Sequence, residues 1–516
     1  MPTVTAPLDS KNTPVTRRPG AGDAFSAPAF PATPYLPVSE PRFRRSFAPI
    51  PKSNFLAIGV CALMTVAMAP CRLCLAQTPP AQVPGTAQTN QVVSADMIEI
   101  KTIHLDEPGS NNQLSPVLVA NDPKGGMWVA WGVAGGGSYR IQHLADNMTP
   151  DRTIVKLGTN AVMGLYGHVD GSLAFTWYDS RLTRIFGVDL YLQKISPEGK
   201  TIFNTKVRGD PGSGLEYEKR PVGLWNHPDF QGPTVPIAFN GRQYGLFYVV
   251  LQKFPDKACH TGDEFALVNA NGKVDEKKRS TWNASHSFWQ SVVTGVDNCF
   301  YGITLADPFP YRAIRIGNYS AHPAKQDVLW PRKPCDGFFP PDTKLSAAFN
   351  FGNKFAMAIS TAIPKEMEDL KSYDEKVFRE KIAAQGPGAF PVLLAFDRNG
   401  KKAKATYITK EPSPDMIITG ARFGLNSAVV LWATGPAGTD KGTAFGAYPT
   451  KMAVLNNAGI VLQSPIEIKA PLTWHSDATT LSNGDVVWGA IADDWTSVDD
   501  AAKLYIVRIH CQRSKP

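Results

Sequence analysis

The chain has 516 residues, 43% of them hydrophobic and 19% charged, with 43 glycines and 43 prolines. That length suits two or three ordinary domains or one large one, and the glycine and proline content excludes an architecture of long helices. The formal charge of +8 is concentrated in residues 1–76, which hold eight Lys/Arg against three Asp/Glu. The rest sits near +3 with no Lys/Arg cluster among aromatics, so the composition excludes nucleic acid as a partner.

Residues 1–52 are proline-rich and basic, with Arg42, Arg44, Arg45 and Lys52 at their end, and an uncharged run follows from Phe55 to Ala69. At fifteen residues this run is short for a membrane span and fits the core of a signal peptide. Cys74-Leu75-Ala76 places small residues where signal peptidase prefers them, so cleavage is expected after Ala76 and the mature chain is expected to be secreted or periplasmic, with no transmembrane helix. Arg44-Arg45-Ser46-Phe47 also resembles a twin-arginine export signal, from which Phe43 and Ala48 depart. Residues 77–96 read as a flexible linker rich in Gln, Thr, Pro and Ala.

From residue 97 the pattern is β. Met97–Leu105 alternates through Ile98, Ile100 and Ile103. A two-part motif then recurs seven times: a Gly/Asn turn leading into an apolar strand, and an alternating strand after it. The apolar halves include Gly126–Trp131, Gly171–Trp177, Gly241–Phe247, Asn298–Ile303, Gly352–Ala358, Asn426–Trp432 and Asn483–Trp488, and their partners begin near Tyr139, Asp189, Asp263, Tyr311, Pro391, Lys451 and Lys503. Repetition at several tens of residues signals a radial array of small sheets. The expectation is an all-β, seven-bladed β-propeller over residues 97–516. Short apolar stretches ahead of each motif, such as Ala161–Tyr166 and Ala478–Leu481, supply innermost strands, and Thr153–Leu157, Thr201–Val207 and Ile460–Ile468 supply outer ones. The seventh repeat ends at Cys511 with no outer strand of its own, so Met97–Leu105 is expected to close the ring against Lys503–Cys511. Residues 364–385 carry Met367, Leu370, Val377, Phe378 and Ile382 at helical spacing and predict a helical insertion in blade five. The polar stretch 208–233 predicts a long loop.

Four cysteines remain beyond the leader: Cys259, Cys299, Cys335 and Cys511. An even number in an exported chain permits disulfides, and Cys259 with Cys299 is the expected pair because they belong to adjacent blades. None has the CxxC spacing of a zinc site, and no metal or cofactor is expected.

Trp177-Tyr178-Asp179-Ser180-Arg181, followed by Asp189-Leu190-Tyr191-Leu192-Gln193 and Gly199, is similar to the W-x-D-x-R … D-x-Y-x-Q … G repeat of secreted bacterial β-propeller proteins. The resemblance covers one blade well and the others only in spacing. It implies the propeller fold and an exported role, with Asp179 and Arg181 paired in a turn, and it brings no reaction with it.

In a propeller, the loops between the two middle strands and those between blades emerge on one face, around the channel mouth. That places His227, His286, His475, Asp477, Asp179, Arg181, Asp307 and Arg312 on one rim as candidate ligand contacts. His475 and Asp477 form an H-x-D pair suited to proton transfer, and Arg312 can clamp a carboxylate. No sialidase box, G-x-S-x-G elbow, H-E-x-x-H helix, Walker loop or dinucleotide fingerprint occurs in a fitting context. The expected function is thus a binding or scaffold propeller for an extracellular carbohydrate, peptide or protein rather than an enzyme. The alternatives are a polysaccharide hydrolase or lyase using carboxylates such as Asp179 and Asp307, and a purely structural envelope repeat protein.

Overall fold

A computed structural model describes residues 92–511 except 108–116, 134–137, 153–154, 159, 180–188, 209–219, 222–234, 254–258, 286–287, 307–312, 322–325, 331–342, 369–379, 381–383, 385–387, 414–415, 435–449, 474–476 and 492–502. The leader, residues 1–76, therefore lies outside the described residues.

The first strand, β1 (Ile98–His104), is followed by blade one, made of β2 (Leu118–Asn121), β3 (Met127–Gly132), β4 (Tyr139–Leu144) and β5 (Val155–Leu157). Blade two is β6 (Asn160–Gly167), β7 (Leu173–Asp179), β8 (Leu190–Ile195) and β9 (Thr201–Arg208). Blade three holds β10 (Arg220–Pro221), β11 (Ile237–Phe239), β12 (Gln243–Lys253), β13 (Cys259–Asn269) and β14 (Ser280–Ser285). Blade four is β15 (Phe288–Thr294), β16 (Phe300–Ala306), β17 (Ala313–Asn318) and β18 (Gln326–Trp330). Blade five has β19 (Lys344–Leu345), β20 (Phe349–Phe351), β21 (Lys354–Thr361), β22 (Phe390–Phe396) and β23 (Lys404–Tyr407), with a helix α1 (Lys365–Glu368) between its middle strands. Blade six is β24 (Met416–Phe423), β25 (Ser427–Thr434), β26 (Thr450–Asn456) and β27 (Val461–Ile468), and blade seven is β28 (Thr479–Thr480), β29 (Val486–Ile491) and β30 (Lys503–Ile509).

These strands form seven antiparallel sheets, arranged as a seven-bladed β-propeller. β1 completes the last sheet, with Ile98 opposite Ile509 and His104 opposite Lys503, so the ring closes as the missing outer strand required. The docked chain begins slightly earlier, inside the stretch read as linker. Val93 and Met97 are buried in the core shared by blades six and seven, and the Gln463 side chain holds the Val93 backbone at 2.7 and 2.9 Å.

Middle strands of this kind are buried on both faces, which explains why they read as apolar runs rather than as alternations. β3, β16, β22 and β29 are buried along their whole lengths, and Trp128, Trp432 and Trp488 fill the spaces between blades. The motif residues of blade two serve packing. Trp177 lies opposite Tyr191 and stacks on it at 4.2 Å, while Asp189 takes the Tyr191 hydroxyl and the Lys206 ammonium.

Polar networks tie the blades as well. Glu264 is fully buried and meets Arg279 at 2.7 Å; the Tyr248 hydroxyl donates to the same carboxylate, and Arg279 also donates to the Val207 carbonyl of blade two at 2.9 Å. Without Glu264, Arg279 keeps Glu276 at 2.9 Å near the surface and the Val207 carbonyl, so Glu264→Ala is expected to cost about 1.5–3 kcal/mol from its lost charged hydrogen bonds, visible in urea unfolding as a lower midpoint with the slope unchanged.

Blade three departs from the expected pattern. β12 and β13 are eleven residues each, where the middle strands of the other blades have six to eight. The ladder runs unbroken from Gln243–Asn269 to Lys253–Cys259. The stretch 208–233, expected as loop throughout, contributes β10, which adds to the far end of β12 at Val250 and Leu251. The described strands of this hairpin thus run about four residues, roughly 13 Å, longer than those of its neighbours.

The expected Cys259–Cys299 disulfide is not formed: Cys299 carries a free thiol. Cys259 opens β13 at the far end of that hairpin, and Cys299 precedes β16 at the opposite end of its blade. About 30 Å of strand separates the two ends, far beyond disulfide reach. Cys335 and the Cys259 side chain lie outside the described residues.

Candidate functional site at the channel mouth

Strand direction divides the disc into two faces. On the turn face, tight hairpins join innermost to second strands, such as Asp122–Gly126, His168–Ser172 and Leu481–Asp485. On the other, the loop face, the two middle strands are connected and the chain passes from blade to blade. The innermost strands surround a channel of about 360 Å³, lined by β2, β6, Pro236–Ile237, Gln290–Val292, Ala347 and Asp477–Thr479, within the usual range for a ligand cavity.

The wall is drawn tight by one glycine. Val235 donates its N–H to the Met163 carbonyl at 3.0 Å and accepts the Thr176 hydroxyl at 2.8 Å. A Cβ on Gly164 would meet the Val235 carbonyl oxygen at 2.3 Å, so only glycine fits where the innermost strands of blades two and three converge.

Asp477 lies two residues ahead of β28, where the chain enters blade seven from the loop face. Its Oδ1 accepts the Ala347 N–H of blade five at 3.0 Å, and the Thr419 hydroxyl of blade six donates to the same carboxylate. That hydroxyl in turn accepts the Ala478 N–H at 2.8 Å. One side chain therefore joins three blades at the channel. Part of its surface stays open, but that surface faces the channel. Withdrawal from bulk water pushes the carboxyl up from 3.8 to about 6, and the two donors offset the rise only in part. Among the described lining residues, no other Asp, Glu, Lys, Arg or His faces this channel.

The remaining rim candidates are not brought together by the described residues. His227, His286, His475, Asp307, Arg312 and Arg181 lie outside them, as does the side chain of Asp179, whose backbone ends β7 on the loop face. The expected pairing of His475 with Asp477 therefore falls outside the described residues; the described partners of Asp477 come from blades five and six.

Two other buried histidines lie toward the turn face. His143 sits between Asp122 at 3.1 Å and Asp151 at 2.6 Å, with Arg152 completing the group at 3.3 Å from Asp122 and stacked over Trp128. Burial raises the Asp122 carboxyl, yet the His143 contact, the Lys124 N–H and Arg152 together hold it below its usual range. His168 bonds the Tyr244 hydroxyl at 2.9 Å, and burial together with nearby Lys194 pushes it down to about 4, so it is neutral at physiological pH. Neither group lines the channel. Their hydrogen-bond partners lie 8 to 76 residues away, and the one local signal is the H-x-D spacing of His168 and Asp170.

No family model matches the chain, and no curated protein matches it. Solved structures with a similar chain course include hydrazine synthase of Kuenenia stuttgartiensis, 10% identical with a TM-score of 0.42 over 80% of this chain and 98% of that one. The GH93 α-L-arabinofuranosidase of Fusarium graminearum in complex with arabinobiose is 8% identical with a TM-score of 0.39, over 79% and 96% of the two chains. Trypanosoma rangeli sialidase in complex with the inhibitor DANA is 8% identical with a TM-score of 0.37, over 79% of this chain and 59% of that one. At these values the likeness bears on neither substrate nor reaction.

Proposed function

We propose that this chain is an exported β-propeller that binds an extracellular carbohydrate, peptide or protein at the loop-face mouth of its channel, with Asp477 among the contacts. The observation that carries this reading is Asp477 itself, an acid kept beside the channel at the expense of its own solvation. A group whose environment shifts its titration and which opens onto a cavity is a functional candidate on physical grounds. The long hairpin of blade three, with β10 added at its loop-face end, supports the same face. A carboxylate there accepts hydroxyl or N–H donors from a ligand. Hydrolysis of a glycoside would require a second carboxylate about 5–10 Å away, and the described channel offers Asp477 alone. Export rests on the leader, with its fifteen-residue apolar core and the small residues before Gln77.

The test is a glycan-array and pull-down screen with the intact chain and Asp477→Asn side by side. Ligands retained by the first and lost by the second support the reading. Identical ligand profiles, or an empty screen, would sink it. N-terminal sequencing of the chain recovered outside the cytoplasm should begin at Gln77.

A further inference from the structure

The turn face has a surface of its own. Hydrogen bonds tie several of its neighbouring inner hairpins together. Asn121 and Ser482 exchange bonds at 3.0 and 2.9 Å between blades one and seven. Asn240 reaches the Asn298 carbonyl at 3.0 Å, Asn350 the Thr294 carbonyl at 3.2 Å, and Gly424 the Gly484 carbonyl at 2.9 Å.

On this face, three turn tips carry aliphatic side chains that pack against little. Val169 is 80% exposed, Val296 68% and Leu425 78%. Tips of tight turns ordinarily take Gly, Asn or Asp because their backbones need them and their side chains face water. These three stand on blades two, four and six, around one mouth. Of the blades between them, one and three present an exposed cation on the corresponding turn, Lys124 and Arg242, while five and seven carry Asn353 and Ser482-Asn483. The acidic residues beside the apolar tips have cationic or hydroxyl partners: the exposed Asp170 pairs with Ser172 and Lys194, and Asp297 with Tyr301 and Arg398. Three apolar tips and two exposed turn cations thus share this face.

The chain also enters here. Val92, 52% exposed, precedes β1 at the end of blade seven that bears the Leu481–Asp485 turn.

We propose that the turn face docks on an anionic lipid bilayer, with Val169, Val296 and Leu425 entering the headgroup region and Lys124 and Arg242 pairing with lipid phosphates. Apolar points flanked by cations are the chemistry of interfacial membrane binding, since burial of aliphatic groups and attraction to anionic headgroups act together. A second copy docked by the same face would bring Lys124 and Arg242 against cations of their own kind. The loop face would then point away from the membrane, open to its ligand.

Co-sedimentation with vesicles tests this, using residues 77–516, which keep β1, β30 and the buried Val93 and Met97. The protein is expected to pellet with phosphatidylcholine vesicles containing about one third phosphatidylglycerol, less with pure phosphatidylcholine, and less again in high salt. The triple variant Val169→Ser, Val296→Ser, Leu425→Ser should melt as the parent does and lose about tenfold in bound fraction, and Lys124→Gln with Arg242→Gln should lose the preference for anionic vesicles. Three results would overturn the proposal: no pelleting with anionic vesicles, equal pelleting of the triple variant, or a dimer in light scattering that the triple variant converts to monomer. The last would make this face an interface between copies.

Discussion

A chain that begins at residue 106 is expected to lose its cooperative unfolding transition and to aggregate, while one that begins at Val93 melts with the intact protein. The shorter chain lacks β1, and with it the seven-residue ladder from Ile98–Ile509 to His104–Lys503. It also loses Val93 and Met97 from the core that joins blades six and seven, the two bonds from Gln463 to the Val93 backbone and the bond from the His510 N–H to the Met97 carbonyl at 2.8 Å. Burying a valine or a methionine is worth about 1.5–3 kcal/mol each, and the ladder adds its own hydrogen bonds at about 1 kcal/mol apiece. Together these rival the whole stability of a typical domain, about 5–15 kcal/mol. The loss is also topological. β30 becomes an open edge, and unpaired strand edges recruit other chains. What remains between blades seven and one includes the Asn121–Ser482 bonds and Arg508, which meets Asp485 at 2.7 Å and reaches the Asp146 carbonyl of blade one. Far-UV circular dichroism melts and size-exclusion profiles of the two truncations measure the effect. A chain from residue 106 that melts sharply at the parent's temperature would show that blade seven closes without its borrowed strand.

The sequence made that closure visible because an outer strand was missing at one end and a spare amphipathic strand stood at the other. The blades were legible for a related reason. Each middle strand is buried on both faces, so a glycine or asparagine turn followed by an apolar run repeats wherever the backbone reverses on the turn face. What local pattern could not carry was pairing at a distance. β10 is two residues long and pairs thirty residues away, which no periodicity records. The Cys259–Cys299 pairing failed because blade adjacency says nothing of height along the strand. Of the rim candidates, Asp477 is the one whose side chain the structure describes, and its partners, Ala347 and Thr419, lie 130 and 58 residues upstream. Selecting histidines by their place in loops passed over His143 and His168, which the fold buries among residues from other strands.

Asp477→Asn is expected to stabilise the protein at neutral pH while removing ligand binding. In the native state the carboxyl titrates at about 6 instead of 3.8. Between those values the folded protein binds more protons than the unfolded chain, so this group's contribution to stability falls as pH rises through the window and stays low above it. Two units correspond to about 3 kcal/mol, and water in the channel brings the net effect nearer about 2 kcal/mol. The amide can occupy the same site: its oxygen accepts the Ala347 N–H, and its NH₂ meets a Thr419 hydroxyl free to rotate. His168 titrates in the opposite sense. Its native value of about 4 against 6.5 means that the unfolded chain binds the extra proton, so its contribution rises with pH between 4 and 6.5. Among the described groups with a shift in this range, the two windows overlap and oppose; in Asp477→Asn the Asp477 window is gone, and the His168 contribution climbs from pH 4 to about 6.5 before levelling. Melts of both proteins across this range give the difference directly. A difference that grows from pH 4 to 6 and then holds is the expected result. A variant less stable at pH 7, or a difference independent of pH, would mean that the Asp477 carboxylate holds blades five, six and seven together, and that its place beside the channel serves the fold and not a ligand.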